Sequence, residues 1–158
     1  MRIAVDFDGT IVENQYPAIG REIAFAVPVL KKLIAEGNEV ILWTSRSGPF
    51  LKDAVDWCRA NGLMFYAVNS NQRDGCNPHQ FHGPRKIRAD IYIDDNNIGG
   101  IPDWPKIYMK VHKLKRRLAR DARRRRRQLE GSLFSKLVFY ISLRISTPPS
   151  QLNIPDKL

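Results

Sequence analysis

Continuous apolar runs alternate with amphipathic stretches along the first part of the chain. The apolar runs occupy residues 3–5, 40–43, 63–68 and 91–93. Between them, segments 22–36 and 50–61 carry apolar residues at helical spacing, and each is followed by a glycine suited to a helix C-cap, Gly37 and Gly62. Strands that are buried on both faces have continuous apolar runs, so this order predicts an α/β fold with a three-layer, doubly wound parallel sheet.

Two details refine these elements. Pro28 lies inside the first helical segment, so that helix either begins near Pro28 or bends there. A last helix is expected from Pro105 through Leu118, where its apolar stripe ends. An apolar stretch at 133–145 follows, and the chain from Thr147 onward is rich in proline and is expected to be unstructured.

Charge divides the chain into two parts. Residues 1–111 hold 13 Lys and Arg against 13 Asp and Glu, whereas residues 112–158 hold 13 against 3 and therefore carry the whole net charge of +10. We therefore predict a folded domain over 1–111 and a basic, helical and partly disordered extension over 112–158. Because the domain is neutral, the basic character of the chain is no evidence that the domain binds nucleic acid.

The basic extension leaves three interpretations open. Its segment 112–127 includes five consecutive arginines, Arg123 to Arg127, which suit nucleic-acid phosphates. They equally suit anionic lipid, with 133–145 lying in the membrane interface, since that stretch is too short and too charged to span a bilayer. The third interpretation is a solvated helix followed by a packing or oligomer-forming segment.

Composition excludes several classes of protein. Hydrophobic residues make up 43% and charged residues 27% of the chain, as in globular proteins and unlike collagen or disordered chains. Two cysteines cannot form a disulfide scaffold, and the first residues show no secretory signal. We expect a cytoplasmic protein.

Carboxylates and a hydroxyl follow the predicted strands. Asp6 and Asp8 come after the first strand, Thr44 after the second, and Asp94 and Asp95 after the fourth. Ligand sites of open α/β sheets lie at the carboxyl ends of the strands, so these side chains are expected to meet there. Carboxylates held so close repel one another unless a cation lies between them, and Mg²⁺ suits such a site because it binds few carboxylates together with water and phosphate.

This constellation fits phosphoryl transfer. Asp6 can attack phosphorus to give an aspartyl-phosphate, and Asp8 can protonate the leaving oxygen and then activate water. The hydroxyl and backbone amide of Thr44 can bind phosphoryl oxygens, and Lys86 can supply a positive charge. Ser45 and Arg46, which follow Thr44, are candidate substrate contacts.

The segment 69–85 is predicted to be a loop with further candidate ligands. Arg73, His79, His82 and Arg85 are possible substrate contacts, with a solvated loop as the alternative. Cys76, His79 and His82 have the spacing of three zinc ligands, but no fourth lies nearby in the sequence. Cys58 lies on the apolar side of a helix and is expected in the core.

These residues together resemble the haloacid dehalogenase superfamily. The first motif of that superfamily, D-x-D-G-T, matches residues 6–10 in full, the second matches Thr44, the third Lys86, and the fourth the pair Asp94 and Asp95. The resemblance covers about residues 1–111, and segment 97–104 looks like that of a small subgroup without an assigned function. The gaps 11–21 and 69–85 are too short for the cap domain of larger relatives, so an open site is expected.

The resemblance implies a Mg²⁺-dependent phosphomonoester phosphatase that works through phosphorylated Asp6. By similarity the metal ligands would be the Asp6 carboxylate, the Asp8 carbonyl and Asp95, with Asp94 as a second choice or outer partner. An aspartate at position 8 favours a phosphatase over a dehalogenase, because carbon–halogen cleavage needs no protonated leaving oxygen. Two alternatives remain, a phosphotransferase of the same superfamily and a catalytically silent domain that binds nucleic acid or membrane through the basic extension.

Overall fold

The first unit of the chain is built on a parallel sheet. A computed structural model describes residues 1–72 and 87–146, the side chains of 142–146 excepted. The strands are β1 (Arg2–Val5), β2 (Glu39–Leu42), β3 (Ala67–Val68) and β4 (Ile91–Ile93), and the helices are α1 (Ala26–Ala35), α2 (Gly48–Ala60) and α3 (Trp104–Ser146). All strand pairs are parallel, in the order β3-β2-β1-β4. The predicted α/β fold with a parallel sheet is confirmed, and the three-layer, doubly wound arrangement stays a prediction.

Helix α1 begins and ends where local chemistry requires. It starts at Ala26, two residues before Pro28, so the proline lies in its first turn, where a missing backbone N–H costs nothing. At the other end Gly37 has a φ of 77° and donates its N–H to the Ile34 carbonyl at 3.0 Å. Gly62 ends α2 in the same way, with a φ of 72°. The glycines that the sequence predicted as C-caps are confirmed.

The sheet divides the core between its two faces, because successive side chains of a strand point to opposite sides. Ile3 and Val5 of β1 face the larger cluster, to which each of the three helices contributes buried residues. Ala4 faces the smaller cluster with Ile41 and Ile87. Cys58 of α2 is buried in the larger cluster, which confirms its predicted place in the core.

Strand β3 is shorter than predicted. The apolar run 63–68 was expected to be extended throughout, yet only Ala67 and Val68 pair with β2. Leu63 is buried but lies just beyond α2, where its N–H bonds to the Cys58 carbonyl at 2.9 Å and closes the helix C-terminus. An apolar run shows which residues are buried and does not show which of them find a strand partner.

The chain separates into two compact units, Met1–Lys113 and Leu114–Leu158. The described part of the second unit, up to Ser146, belongs to α3, and every residue from 116 to 141 is exposed. Over the described residues, no helix combines the length and the apolar character that crossing a membrane requires.

Candidate metal centre and active site

Three carboxylates meet at the carboxyl ends of β1 and β4. These strands are neighbours, with Val5 opposite Ile93, so the next residue of each strand, Asp6 and Asp94, lies at the same edge of the sheet. The N–H of Asp6 also bonds to the Ile93 carbonyl at 3.0 Å. One carboxylate oxygen each from Asp6, Asp94 and Asp95 lies within 4.8 Å of the other two. The topology therefore brings together three of the predicted metal ligands.

The pKa of the Asp6 carboxyl reflects its burial first and these neighbouring charges second. Burial raises the pKa of its carboxyl to about 7, and the negative charges of Asp94 and Asp95 add to the increase. Hydrogen bonds from the Phe7 backbone and the Thr10 hydroxyl lower the pKa and offset part of it. A bound cation would stabilise the ionised form of a carboxyl whose pKa is raised in this way. The three oxygen donors therefore fit a hard divalent ion such as Mg²⁺.

Thr10 joins the carboxylates to the rest of the fold. Its hydroxyl donates to Asp6 Oδ2 at 3.3 Å and accepts the backbone N–H of Asp95 at 3.1 Å. Its carbonyl accepts the indole Nε1–H of Trp104, a fully buried residue at the start of α3, at 3.1 Å. Thr10 thus links the loop after β1 to the loop after β4. It is part of the sequence motif, but its bridging role was not predicted.

Gly9 makes room for Asp95. Its φ is +77°, and a Cβ at this position would lie 2.1 Å from Asp95 Oδ2. Both the backbone angle and the close carboxylate require glycine here. Asn96 also fixes this side of the site, because its side-chain amide donates to Asp95 Oδ1 at 3.1 Å and its backbone N–H donates to Asp94 Oδ1 at 2.8 Å.

Asp8 is held by Arg46. Nε of Arg46 donates to Asp8 Oδ2 at 2.6 Å, and Nη2 donates to Asp8 Oδ1 at 2.7 Å. The Arg46 side chain has 0% exposure and that of Asp8 has 13%. The same guanidinium donates to the carbonyls of Pro17 and Ala18 at 2.9 and 2.7 Å and lies 5.2 Å from the ring centroids of Phe7 and Tyr16. The Asp8 hydrogen bond raises the pKa of Arg46, which keeps the guanidinium charged.

This arrangement differs from the sequence prediction for Arg46. A substrate contact needs an accessible guanidinium, whereas this one is enclosed and bonds to Asp8 and two backbone carbonyls. The sequence could show that a cation follows Thr44 but could not show that it points inward. In this structure Arg46 positions Asp8 and ties it to the loop at Pro17 and Ala18.

Thr44 lies at the end of β2 and contributes less than predicted. Its backbone N–H donates to Asn69 Oδ1 at 2.9 Å, so the amide expected to bind phosphoryl oxygens is already used. Its hydroxyl oxygen accepts the backbone N–H of Arg46 at 3.2 Å, so the hydroxyl hydrogen can still be donated. Asn69, with a φ of 48°, also donates to the Thr44 carbonyl at 2.9 Å. The position of Asn69 directly after β3 was the available signal for this role, which was not predicted.

A pocket of about 340 Å³ opens over these groups. Its walls combine the predicted catalytic side chains with polar and aromatic neighbours: Asp6, Asp8, Asn14, Trp43, Thr44, Ser45, Asp94 and Asn96. Asp6, Asp8, Thr44 and Ser45 therefore face one space, as the sequence predicted, and Asp95 lies close to Gly9. Lys86, Arg73, Cys76, His79, His82 and Arg85 lie outside the described residues, so their predicted roles stay predictions.

The fold and the pocket together define an α/β protein with an acidic site at the carboxyl edge of a parallel sheet. A conserved protein coded by a locus from Bacteroides thetaiotaomicron has a solved structure similar to it, with 53% sequence identity and a TM-score of 0.66. The match covers 72% of this chain and 90% of that one. The chain belongs to the family of that conserved protein. No family profile and no curated protein matches the chain.

Proposed function

We propose that this chain is a Mg²⁺-dependent phosphomonoester hydrolase of the haloacid dehalogenase superfamily, with a three-layer, doubly wound, capless domain and a cytoplasmic location. One observation carries the proposal. Carboxylate oxygens of Asp6, Asp94 and Asp95 lie within 4.8 Å of one another, beside a pocket that Asp8 and Thr44 also line. An acidic cluster alone has many explanations, but few of them also require a fourth carboxylate and a hydroxyl on the same pocket.

The proposed first step forms a covalent intermediate. A carboxylate oxygen of Asp6 attacks phosphorus, the new O–P bond forms, and the P–O bond of the ester breaks. The leaving oxygen takes a proton from the Asp8 carboxyl and departs as the alcohol. Asp6, Asp94 and Asp95 would hold Mg²⁺, which when bound neutralises the carboxylates and the phosphoryl charge. Thr44 lines the pocket, and its hydroxyl would donate to a phosphoryl oxygen there.

The second step returns the enzyme to its starting state. Asp8, now a carboxylate, takes a proton from water as the water oxygen attacks phosphorus. The Asp6 O–P bond breaks, inorganic phosphate leaves, and Asp8 again carries its proton. In the structure both Asp8 oxygens accept hydrogen bonds from Arg46, so Asp8 must release one of these bonds when it exchanges a proton. The remaining bond to Arg46 would hold Asp8 in position through both steps.

The experiment is hydrolysis of p-nitrophenyl phosphate by the full chain with Mg²⁺. We expect Asp6→Asn to lower kcat by at least about 1,000-fold, the order of loss seen when a nucleophile is removed. The control is Asp56→Asn, which changes an exposed aspartate paired with Lys52 at 2.5 Å on α2 and should leave kcat unchanged. Equal turnover by wild type and Asp6→Asn would refute Asp6 as the nucleophile.

The same protein and substrate also distinguish the hydrolase from two other functions. A phosphotransferase would form the same intermediate, and an added alcohol would raise the amount of its phosphate ester at the expense of inorganic phosphate. A catalytically silent binding domain would hydrolyse nothing and would show no phosphorylated Asp6.

A further inference from the structure

The second unit places strong basic charge next to a run of exposed apolar side chains on one helix. Arg120, Arg123, Arg124 and Arg127 lie side by side on this exposed part of α3. Their spacing of three and four residues puts them on one helix face. Residues 112–127 hold ten Lys and Arg against one Asp, so this segment is positive on all sides.

The next turns of α3, residues 129–141, carry exposed apolar side chains. Eight large apolar side chains between residues 129 and 141 are 47% to 68% exposed: Leu129, Leu133, Phe134, Leu137, Val138, Phe139, Tyr140 and Ile141. Only two of these thirteen residues carry a charge, Glu130 and Lys136. Exposed apolar groups in such a contiguous array mark an interaction surface.

The two features share a helix face. Phe134, Val138 and Ile141 continue the three- and four-residue spacing that begins at Arg120 and passes through Arg124 and Arg127. A partner of this helix therefore has to offer negative charge at one end of the face and an apolar medium at the other.

We propose that residues 113–141 bind an anionic lipid surface as an interfacial helix, with the arginines at the phosphate headgroups and the apolar turns embedded among the upper acyl chains. Anionic bilayers provide both chemistries side by side, and basic residues gain favourable energy near their surface. The helix lies in the interface and does not span the bilayer, in agreement with the absence of a spanning helix among the described residues.

Each of two competing partners would match only one of the two features of this surface. Nucleic acid would neutralise the arginines but would leave the eight apolar side chains in water. A second copy of the helix, paired in parallel, would cover the apolar side chains but would bring two sets of ten basic residues together. Charge complementarity and apolar burial are satisfied together by anionic lipid.

The test is co-sedimentation of the full chain with vesicles of phosphatidylcholine, with and without phosphatidylserine. We expect binding to be at least about tenfold tighter when phosphatidylserine is present, and to weaken as salt is added. Two variants should each weaken binding by about tenfold or more. One replaces all five arginines of 123–127 with glutamine, and the other combines Phe134→Ser with Phe139→Ser. The control Met64→Ser removes an apolar side chain that is 67% exposed on the first unit and should bind as wild type does.

Three results would overturn the proposal. The first is a full chain that binds neither kind of vesicle, or a Phe134→Ser, Phe139→Ser variant that binds phosphatidylserine vesicles as tightly as wild type does. The second is binding to a duplex or single-stranded oligonucleotide that is tighter than vesicle binding and insensitive to the two Phe changes. The third is a dimer in lipid-free solution, seen by sedimentation velocity, that the Phe changes dissociate. Circular dichroism of each variant shows that the helix is intact.

Discussion

The carboxylate of Asp8 and the guanidinium of Arg46 meet through two hydrogen bonds of 2.6 and 2.7 Å, inside the fold. This pair joins the loop after β1 to the residue that follows Ser45, beyond the end of β2. It also determines which way a predicted acid/base residue points. The pair is therefore both a stabilising contact and part of the proposed active site, and the two roles can be measured separately.

Removing the Arg46 guanidinium should destabilise the fold. Arg46→Ala leaves Asp8 without its ion-pair partner in a site where it is only 13% exposed, and we expect a loss of about 3–5 kcal/mol in the free energy of unfolding. Arg46→Lys keeps the charge but loses the two-pronged geometry and should cost less, about 1–3 kcal/mol. Urea unfolding measures both.

The matched control for this prediction is Arg59→Ala. Arg59 pairs with Asp56 on the exposed side of α2 at 3.8 Å, and its loss should cost less than about 1 kcal/mol. If Arg46→Ala is no more destabilising than Arg59→Ala, the internal pairing of Asp8 is not as the structure shows it.

Gly9 and Gly37 allow backbone strain and a clash with Asp95 to be separated. Both have a φ of +77°, but a Cβ at Gly37 meets nothing within 4 Å, whereas at Gly9 it would lie 2.1 Å from Asp95 Oδ2. Gly37→Ala should cost about 1 kcal/mol, for the backbone alone. Gly9→Ala should cost the same strain plus about 1–3 kcal/mol for moving Asp95.

Gly9→Ala should also weaken Mg²⁺ binding, because Asp95 is displaced from the cluster, while Gly37→Ala should leave it unchanged. Isothermal titration calorimetry with Mg²⁺ is the measurement. Equal Mg²⁺ affinity in the two variants would show that Asp95 is not a ligand.

How far the sequence alone reaches can be seen at individual residues. Asp6 and Asp94 were placed at strand ends because the runs before them are short and continuously apolar, and neighbouring parallel strands bring such ends together. The inward direction of Arg46 was out of reach, because spacing along a chain does not show which way a side chain turns at the end of a strand. The bond between Asn69 and Thr44 joins residues 25 apart and depends on the pairing of β2 with β3.

The length of α3 illustrates a different limit. The extension over 112–158 was predicted to be helical, but the apolar stripe ends at Leu118 and did not indicate that a single helix runs from Trp104 to Ser146. Amphipathic periodicity detects helices that pack against a core, and residues 116–141 are exposed. Arginine, leucine, alanine and glutamine have high intrinsic helix propensity, which accounts for a helix without such a stripe.

Metal-free stability should depend on the ionisation of Asp6. Its pKa is raised from 3.8 to about 7 in the folded chain, so folding favours the protonated form and the chain loses stability as pH rises between these values. Asp6→Asn removes this loss. In the presence of EDTA we expect the variant to be more stable by about 1–2 kcal/mol above pH 7, after allowance for solvent screening.

The sign of this effect makes it distinctive. The advantage of Asp6→Asn should shrink as pH falls from about 7 towards 4 and should be constant above about 7. Thermal unfolding followed over this pH range is the measurement, with Asp56→Asn as the control. A difference that is independent of pH, or that grows on acidification, would mean that burial and the neighbouring Asp94 and Asp95 do not raise the pKa of Asp6.

Trp104, in the first turn of α3, should stabilise the loop after β1 that contains Thr10. Trp104→Phe removes the indole donor that bonds to the Thr10 carbonyl at 3.1 Å and leaves this buried oxygen unsatisfied. We expect a loss of about 1–3 kcal/mol in the free energy of unfolding. Urea unfolding of the variant measures it, and a change below about 0.5 kcal/mol would argue against a bond between Trp104 and Thr10.

The most direct measurement asks whether Asp6 becomes phosphorylated. The full chain is mixed with p-nitrophenyl phosphate and Mg²⁺, quenched in acid and treated with borohydride, which reduces an aspartyl-phosphate to homoserine. Peptide mass spectrometry should then find homoserine at position 6, and should find none when EDTA replaces Mg²⁺ or in Asp95→Asn. Turnover of the substrate with position 6 unmodified, or homoserine at another aspartate, would contradict the central claim.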